Sequence, residues 1–591
     1  MESPNGYAPR IYFFHSLLVG PLDAWPAQFA HAAGLGFDHA LIGSVFEPGR
    51  GGHGQVVGNH SRLHPVFETQ QSATTAIRTL AQAARQNGLA LLVDLVIDRM
   101  AADGVLYAEH ADWFHPFESE EARLDPRHVH REDNVAYANF NDGASRAALV
   151  GWWTQQLLAL ADAGVSGFRF DSPHRVPAAV WRQLGDAVRA KHPEVRFLAA
   201  TPGLARGDLL GLAGAGFDSV FSSVRWWDFR ASWMVEEHAA LARIAAPVAF
   251  PEAPYGTRLA ADLGEAHDAA IVERAYRRAL FASAATGTGW MMPMGFEYGI
   301  AEPMSQTRGD AAQFALASQS KRFDLSERIS HANQLVSKTK TLHSNGELRP
   351  LSGPGAPAAV LLRADTADLR DAGEAILIAI NPELGAPVRV DPARFLAGVP
   401  GNFTRFVPLD APGHATPATL TPFTLAAGAV RLFRGVAEQP IRLAPPIDKA
   451  TGKRSGHKTV LEAINAPRVA IESVTPAVDN GRFPAKRTVG ERAEITAAIF
   501  AEGHDKIAAA VIWRAADETA WHEVPMRPAQ PAGLDIWSAR IPLERLGRHE
   551  FTVIAWRDDF ASLVEHIQKK LKAGQTVELE LEEAAHLFAL V

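Results

Sequence analysis

The sequence predicts an α/β protein: a (β/α)8 TIM barrel with a C-terminal antiparallel β domain, then a separate immunoglobulin-like β-sandwich. Up to about residue 335, short apolar runs alternate with Ala/Leu/Arg-rich amphipathic stretches, as in repeated strand-helix units. From about 340 to 435 the apolar runs are short and separated by Pro and Gly, and alternating runs return after 465. The length of 591 residues exceeds what one core normally supports, so several domains are expected.

Eight barrel strands are predicted in chain order, each beside an amphipathic segment. They cover residues 11–14, 39–42, 90–96, 167–170, 195–199, 219–222, 247–250 and 289–293. In such a barrel the C-terminal ends of the strands carry the chemistry. The longest interruption, about 99–142, is predicted to be a loop excursion over that end of the barrel, where loops usually shape a substrate cleft.

Composition changes set the predicted domain boundaries. The barrel is predicted to cover 1–338, the antiparallel β domain 339–435, a Pro- and Lys-containing linker 436–465, and the β-sandwich 466–591. A terminal helix is predicted at 560–573, where Lys residues accompany apolar ones at helical spacing.

Charge and cysteine content narrow the class of protein. The net charge of −8 comes from 58 basic and 66 acidic residues without long blocks, which argues against nucleic acid or an anionic membrane as the main partner. With 0 cysteines, the chain has no disulfide, thiolate nucleophile or Cys-type zinc site. No run approaches the ~20 apolar residues that span a bilayer. The apolar segment 11–20 resembles a core strand rather than a signal peptide, so a cytoplasmic protein is expected.

The most informative stretch is 164–174, Gly-Val-Ser-Gly-Phe-Arg-Phe-Asp-Ser-Pro-His. Strand side chains repeat with period two, so Arg169 and Asp171 share a face, and Asp171 lies at the strand's C-terminal end. A retaining glycosidase holds its nucleophile ionised in this way. The alternative is an Asp that caps the following helix. These residues alone leave both interpretations open.

Other polar and aromatic residues give weaker indications of a metal, nucleotide or sugar site. The excursion contains several His and Asp residues, but without HxxxH or HExxH spacing a solvated loop is favoured and no metal is predicted. Stretch 203–216 misses the phosphate-loop spacing, so no nucleotide cofactor is predicted. Paired tryptophans after barrel strands could stack on sugar rings, although packing is favoured. The residues concerned are His110, His115, His128, His130, Asp112, Asp125, Trp152, Trp153, Trp226 and Trp227.

Residues 8–435 resemble the α-amylase superfamily, and the order of four motifs carries the resemblance. The motifs are Asp94-Leu-Val-Ile-Asp98, Gly167-Phe-Arg169-Phe-Asp171, Phe250-Pro-Glu252 followed by Arg258, and 289–299. Segments 469–487, 489–492, 502–505 and 521–526 resemble the non-catalytic N-terminal domain of bacterial α-1,4-glucan:maltose-1-phosphate maltosyltransferases. In that family the sandwich precedes the catalytic barrel. The simplest expectation is a long-form enzyme with an extra barrel in front.

The resemblance implies a role for each matching position. It makes Asp171 the nucleophile, with Arg169 as its electrostatic partner, and implies substrate binding by the residues at the other motif positions. Those residues are Arg169, His174, Asp94, Glu252 and Arg258. Structural alternatives remain open for two of them: Glu252 could bind loop amides or Arg258, and Asp94 could pair with Arg169 or Arg99.

Three positions depart from the family pattern. Ala200 stands where the general acid is expected, Pro254-Tyr255 replaces a His-Asp pair that supplies the third carboxylate, and Asp98-Arg99 replaces Asn-His. A methyl group cannot transfer a proton, and losing a general acid costs roughly 10²–10⁴-fold in rate.

The function expected is therefore that of a maltosyltransferase-family protein of bacterial α-glucan biosynthesis, whose barrel is degenerate and acts as a glucan-binding or scaffold module. The alternative is an active retaining α-glucan glycosyltransferase or hydrolase that uses Asp171, and a third reading is an isomerase or phosphorylase relative with altered acid chemistry. The partners implied are α-1,4-glucan or maltooligosaccharide, maltose 1-phosphate and a second copy of the chain. No cofactor, metal, nucleic acid or membrane is expected.

Overall fold

A parallel eight-stranded barrel forms the first part of the protein in the computed structural model. The structure describes residues 8–43, 45–116, 134–264, 268–396, 399, 403–409, 417–437, 468–531 and 533–589. The chain divides into two compact units, Met1–Pro440 and Ile441–Val591. The predicted linker 436–465 lies outside the described residues except for Val436 and Ala437.

The barrel strands follow the predicted positions within one or two residues at each end. They pair in the order β7-β6-β5-β4-β3-β2-β1-β8, and a parallel bridge between Ala249 and Trp290 closes the ring. The predicted fold class is thereby confirmed. The strands are β1 Arg10–His15, β2 His39–Gly43, β3 Ala90–Leu95, β4 Gly167–Phe170, β5 Arg196–Ala199, β6 Ser219–Phe221, β7 Ala246–Val248 and β8 Trp290–Pro293.

Alternate strand residues face opposite sides of the barrel wall. Ile11 and Phe13 of β1 join an inner cluster with Leu41, Leu92 and Met291, while Tyr12 and Phe14 pack outward against the helices. Both faces are buried, which explains why the strands appear as continuous apolar runs.

Helices cover the outside of the barrel. In helix Ala73–Gln86, Ser72 accepts a hydrogen bond from the backbone N–H of Thr75, and the buried residues Ala76, Ile77 and Leu80 form one apolar face. The α-helices of this region are Ser16–Val19, Trp25–Gly34, Ala73–Gln86, Val105–Glu109, Gly143–Asp162, Ala178–Arg189, Arg206–Gly211, Trp233–Ala242, Leu259–Leu263, Ala269–Thr286, Ala311–Gln319 and Ser326–Lys338. Short 3-10 helices occupy Leu22–Ala24, Pro65–Phe67, Ala111–Trp113, Pro173–Arg175, Val224–Trp226, Phe296–Tyr298 and Lys340–His343.

Two small antiparallel sheets extend from the loops after β2 and β3. One pairs Phe46–Pro48 with Val57–Leu63, and the other orders Arg99–Ala101, Val135–Ala138 and Phe114–Pro116. The second sheet lies within the predicted excursion, of which residues 117–133 lie outside the described part of the chain.

The rest of the first unit is an antiparallel β domain. Its five-stranded sheet has the order Leu348–Pro350, Ala359–Ala364, Glu374–Ile380, Val430–Val436, Phe406–Pro408, and Val388–Val390 pairs separately with Phe423–Leu425. A 3-10 helix at Leu369–Asp371 and an α-helix at Pro392–Leu396 complete its described elements. One face of the large sheet packs with the barrel core and the other has its own apolar cluster.

The second unit contains two antiparallel sheets around one apolar cluster. One has the order Val469–Thr475, Arg492–Ala501, Ile536–Pro542, Arg527–Pro528, and the other His522–Pro525, Ile507–Ala515, His549–Arg557. The predicted terminal helix is present at Asp559–Lys572, and the structure adds a further helix at Glu578–Phe588 that the sequence reading did not predict.

Among all the described residues of both units, no helix is both long and apolar enough to cross a lipid bilayer.

Candidate functional site

The C-terminal ends of β3 and β4 hold a buried ion pair. Asp94 and Arg169 are register partners on these adjacent strands, and both side chains are buried. Arg169 donates from Nε to Asp94 Oδ1 at 2.9 Å and from Nη2 to Oδ2 at 2.6 Å. Phe13 and Phe221 lie against the guanidinium, with ring centroids 5.3 and 5.6 Å from its Cζ. Arg169 Nη1 also lies 3.6 Å from Met291 Sδ. Arg169 acts on Asp171 through space, where its charge helps to lower the pKa of that carboxyl group.

Asp171, at the end of β4, has a different arginine as its partner. Its Oδ2 accepts hydrogen bonds from Arg99 Nη2 at 2.7 Å and from Ser172 Oγ at 3.0 Å. Burial alone would raise the pKa of Asp171, but the charge and hydrogen bond of Arg99 outweigh it, and the pKa is lowered. The side chain is 26% exposed. Asp171 is thus an ionised carboxylate within reach of solvent, but it is already occupied by a cation.

Arg99 joins two carboxylates. Besides Asp171, it donates from Nη1 to both oxygens of Asp98, at 2.9 and 3.1 Å, while the Asp98 side chain is only 2% exposed. Its Nη2 also lies 3.3 Å from Gln55 Oε1. The sequence showed Asp98-Arg99 in place of Asn-His but did not predict the contact of Arg99 with Asp171. The sequence signal for that contact was the replacement of the expected His by Arg99, which is permanently charged.

The two positions of the missing carboxylates are filled by other groups. Ala200 follows β5, and its backbone N–H donates to the Phe170 carbonyl at 2.9 Å, which leaves only a methyl group as side chain. The Tyr255 ring lies edge-on to Phe13 and His15, with centroids 5.4 and 5.5 Å apart. Its hydroxyl lies so close to the Gly43 backbone that a Cβ there would overlap it. Tyr255 therefore occupies the space at the ends of β1 and β2.

Two histidines near this end of the barrel are held neutral. His15 Nδ1 accepts from the Leu17 backbone N–H at 3.2 Å, so Nε2 carries the proton and donates to the Ser305 carbonyl at 2.8 Å. Burial lowers the pKa of His15 to about 4. His174 is half-buried, burial lowers its pKa as well, and its Nδ1 has no hydrogen-bond partner within the described residues. The sequence reading assigned no role to His15.

Glu252 and Arg258 form a second buried ion pair beyond β7. Arg258 Nη1 donates to Glu252 Oε2 at 2.7 Å, and Glu252 Oε1 accepts from the Leu259 backbone N–H at 2.7 Å and from the Tyr276 hydroxyl at 3.2 Å. Both charged side chains are at most 1% exposed. These contacts match the structural interpretation of Glu252, in which it binds loop amides and Arg258. The other terminal nitrogen of Arg258 has no partner in the described part of the chain, and the residue lines a cavity of about 410 Å³ with Phe314.

The histidines of the excursion engage aromatic rings where they are described. His110 stacks on Trp113 with centroids 3.8 Å apart, and His115 stacks on Tyr137 at 6.4 Å. Asp112 lies in the 3-10 helix Ala111–Trp113, and the other predicted members lie outside the described residues: His128, His130 and Asp125. Within the described residues, no group of three His, Asp or Glu side chains is placed to hold a metal ion.

Trp226 differs from the other three tryptophans of the predicted pairs, of which Trp152 and Trp153 lie within helix Gly143–Asp162. It comes just after β6, is 54% exposed and lies edge-on to Phe250, with centroids 5.8 Å apart. Trp152 and Trp153 pack on His60, and the buried Trp227 donates its indole N–H to the Ala231 carbonyl at 2.8 Å. Trp226 thus presents an open aromatic face beside the strand ends.

A closed (β/α)8 barrel with motif residues at its strand ends and an antiparallel β domain behind it defines a protein of the α-amylase fold. The acarbose-complexed α-amylase of Geobacillus thermoleovorans superposes with a TM-score of 0.56 at 14% identity, covering 73% of this chain and 99% of that one. An α-glucosyl transfer enzyme superposes with a TM-score of 0.56 at 15% identity over 74% of this chain and 100% of that one. At identities of 14% and 15%, these superpositions establish a shared fold.

Sequence comparison shows a likeness to one particular family. Residues 467–591 match the family described as "Alpha-1,4-glucan:maltose-1-phosphate maltosyltransferase, domain N/S". The maltosyltransferase of Burkholderia pseudomallei is 46% identical over 589 residues, which cover 100% of this chain and 52% of that protein. The Myxococcus xanthus enzyme is 44% identical over 123 residues, 20% of this chain and 18% of the relative. The predicted resemblance to the maltosyltransferases is confirmed, and the predicted resemblance to the α-amylases is confirmed at the level of the fold. The chain spans about half the length of the Burkholderia relative.

Proposed function

We propose that the barrel binds α-1,4-glucan without cleaving or transferring it, as the non-catalytic module of a maltosyltransferase. One observation carries the proposal: Asp171 is tied to Arg99, and the position of its acid partner is Ala200. A retaining mechanism needs a nucleophile and a protonated carboxyl group about 5–5.5 Å apart. A methyl group has no proton to give the leaving oxygen.

Two further contacts support this proposal. Arg99 already occupies Oδ2 of Asp171 and is held at the same time by the buried Asp98, so a sugar at this carboxylate would have to share it with a bound cation. Tyr255 occupies space where the family pattern has a ring-gripping carboxylate, so a sugar could not be held there in the same way. The same end of the barrel is therefore built as a closed polar cluster.

Binding without turnover has its own support. The exposed ring of Trp226 lies beside the strand ends and offers an apolar face of the kind on which a pyranose ring stacks. The cavity of about 410 Å³ beside Arg258 combines apolar side chains with polar ones, including Phe314, Ser305 and Gln313. Maltose 1-phosphate as a further ligand, a homodimer and a cytoplasmic location belong to the same proposal. The match of 467–591 to domain N/S, whose description names maltose 1-phosphate, supports the first of these.

The test measures binding and turnover on the same purified chain. We expect maltoheptaose to bind in a calorimetric titration, and no phosphate release from maltose 1-phosphate with glycogen as acceptor. Trp226→Ala should weaken maltoheptaose binding by roughly three- to ten-fold, the worth of one aromatic stacking contact. Trp521→Ala removes a comparably exposed tryptophan, 44% exposed, from the second unit and should leave binding unchanged.

Three outcomes would overturn the proposal. Phosphate release that Asp171→Asn abolishes would show an active retaining enzyme. Loss of binding in Trp521→Ala but not in Trp226→Ala would place the glucan site in the second unit. Absence of both binding and turnover would leave no glucan role for this chain.

A further inference from the structure

A basic cleft lies on the outer surface of the first unit, among residues that take no part in the strand-end site. It has a volume of about 360 Å³ and is formed by helices Ala269–Thr286 and Ser326–Lys338 together with the start of strand Val430–Val436. Each helix presents two basic residues and one apolar residue at positions i, i+3 and i+7, and this spacing places them on one helix face. They are Arg274, Arg277 and Phe281, and Arg328, His331 and Leu335.

The cleft concentrates positive charge without a counter-charge. The guanidinium-bearing residues Arg274, Arg277 and Arg328 line it, and no lining residue is acidic. None of these three arginines forms an ion pair within the described residues, and Arg274 Nε is buried without a hydrogen-bond partner there. By contrast, Arg169 in the barrel is paired with a carboxylate. Three like charges around one small cavity repel each other, and a bound anion would relieve that repulsion.

The cleft also has an apolar side, which a simple inorganic ion would not need. Phe281 lies with its ring centroid 6.1 Å from that of His331, and Leu335, Leu409 and Leu432 contribute to the lining. A volume of about 360 Å³ falls at the lower end of the range for small-molecule pockets, roughly 300–1,000 Å³. Arginine clusters suit phosphate because each guanidinium can donate two parallel hydrogen bonds to it.

We infer that this cleft binds a small phosphorylated organic compound of about the size of a sugar phosphate. The phosphate would lie among the guanidiniums of Arg274, Arg277 and Arg328, and the organic body would lie against Phe281. The inference is independent of glucan binding at the strand ends, because no residue of that site lines the cleft.

The test titrates the full chain with three probes: α-glucose 1-phosphate, inorganic phosphate and glucose. We expect the sugar phosphate to bind, inorganic phosphate to bind more weakly, and glucose not to bind. Arg274→Gln combined with Arg277→Gln should weaken sugar-phosphate binding by about ten-fold or more, since it removes two charge-assisted donors. The matched control is Arg78→Gln with Arg85→Gln, two exposed arginines on helix Ala73–Gln86, which changes the net charge equally and should leave binding unchanged.

Arg328→Gln provides a second test on helix Ser326–Lys338 and should also weaken binding, which guards against a folding defect in the variant of helix Ala269–Thr286. The inference is overturned if wild-type chain binds none of the probes, or if the control pair weakens binding as much as the cleft pair. Equal affinity for inorganic phosphate and sugar phosphate would refute the role of the apolar side. Maltoheptaose binding should be unchanged in all these variants, which keeps the outcome separate from that of the glucan proposal.

Discussion

The first unit buries arginines in two contrasting ways. Inside the barrel, at the C-terminal end of β4, Arg169 is held by the two oxygens of one carboxylate, Asp94. Next to the N-terminal end of β8, Arg363 has only neutral acceptors. Its guanidinium donates to carbonyls of Ala285, Gly287, Leu342 and Ser344 and to the hydroxyl of Thr288.

The difference shows how the two ends of the barrel are used. At the C-terminal end Arg169 pairs with Asp94, and Arg99 lies between Asp98 and Asp171, with Arg175 Nη1 3.6 Å from Asp98 Oδ2 as a second cation. The charges there are therefore balanced locally. At the N-terminal end Arg363 comes from strand Ala359–Ala364 of the β domain and satisfies carbonyls where helix Ala269–Thr286 ends, a position that favours a cation. In such barrels the first end carries function and the second carries stability.

Removing Arg363 should have the largest effect. Arg363→Met leaves several buried acceptors without a donor, each costing about 1–3 kcal/mol, so the free energy of unfolding should fall by about 5 kcal/mol or more. Urea denaturation followed by circular dichroism measures it. Arg434→Met, an exposed position on strand Val430–Val436, should change stability little, and an equal loss in the two variants would contradict the anchoring role.

The Asp94–Arg169 pair should be costly to break but replaceable as a whole. Arg169→Leu leaves Asp94 buried without its partner and should lower the free energy of unfolding by about 3–5 kcal/mol. Combining it with Asp94→Leu should recover most of the loss, because a buried ion pair can be replaced by apolar groups of similar volume. Urea denaturation of the single and double variants measures both free energies of unfolding. If the double variant is no more stable than Arg169→Leu, the pair has a role beyond balancing its own charges.

Gly43 tests how tightly Tyr255 closes the end of the barrel. The Cβ of Gly43→Ala would overlap the Tyr255 hydroxyl and lie 2.7 Å from Phe13 Cζ, so we expect a loss of about 1–3 kcal/mol from overpacking. Adding Tyr255→Phe should restore part of it. The control is Gly151→Ala, which lies within helix Gly143–Asp162, has no atom near its Cβ and should be neutral or stabilising. Thermal denaturation compares the melting temperatures of the two alanine variants. Equal melting temperatures would argue against a filled barrel end.

The smallest effect should be a pH dependence outside both arginine sites. His31 Nε2 lies 3.0 Å from Glu297 Oε1, and this carboxylate raises the pKa of His31 above its usual 6.5. The ion pair of protonated His31 with Glu297 therefore stabilises the fold fully below pH 6.5. This stabilisation is lost as the pH rises through the raised pKa of His31. His31→Gln keeps a hydrogen-bond donor but no charge. It should cost less than ~1 kcal/mol at pH 6 and about nothing at pH 9, in parallel urea denaturations. An equal cost at both pH values would exclude the charge as the cause.

The successes and failures of sequence-based prediction follow from the range of the interactions involved. Strands β1 to β8 were found because both of their faces are buried, which leaves a local apolar run in the chain. Helix Asp559–Lys572 was found from its periodicity. Helix Glu578–Phe588 was missed because only Glu580 is buried in it, while Leu579, Leu581 and Phe588 are exposed, so no apolar face marks it.

The motif residues alone tell which polar side chains stand at the strand ends, because a motif states its residues and period two sets the face on which they lie. They also tell that Ala200 offers no proton. Which charges meet depends on the fold. Asp94 and Arg169 are 75 positions apart, and Arg99 and Asp171 are 72 apart. Their pairing depends on the register of β3 against β4 and on the path of the loop after β3, and no local pattern in the chain encodes these contacts.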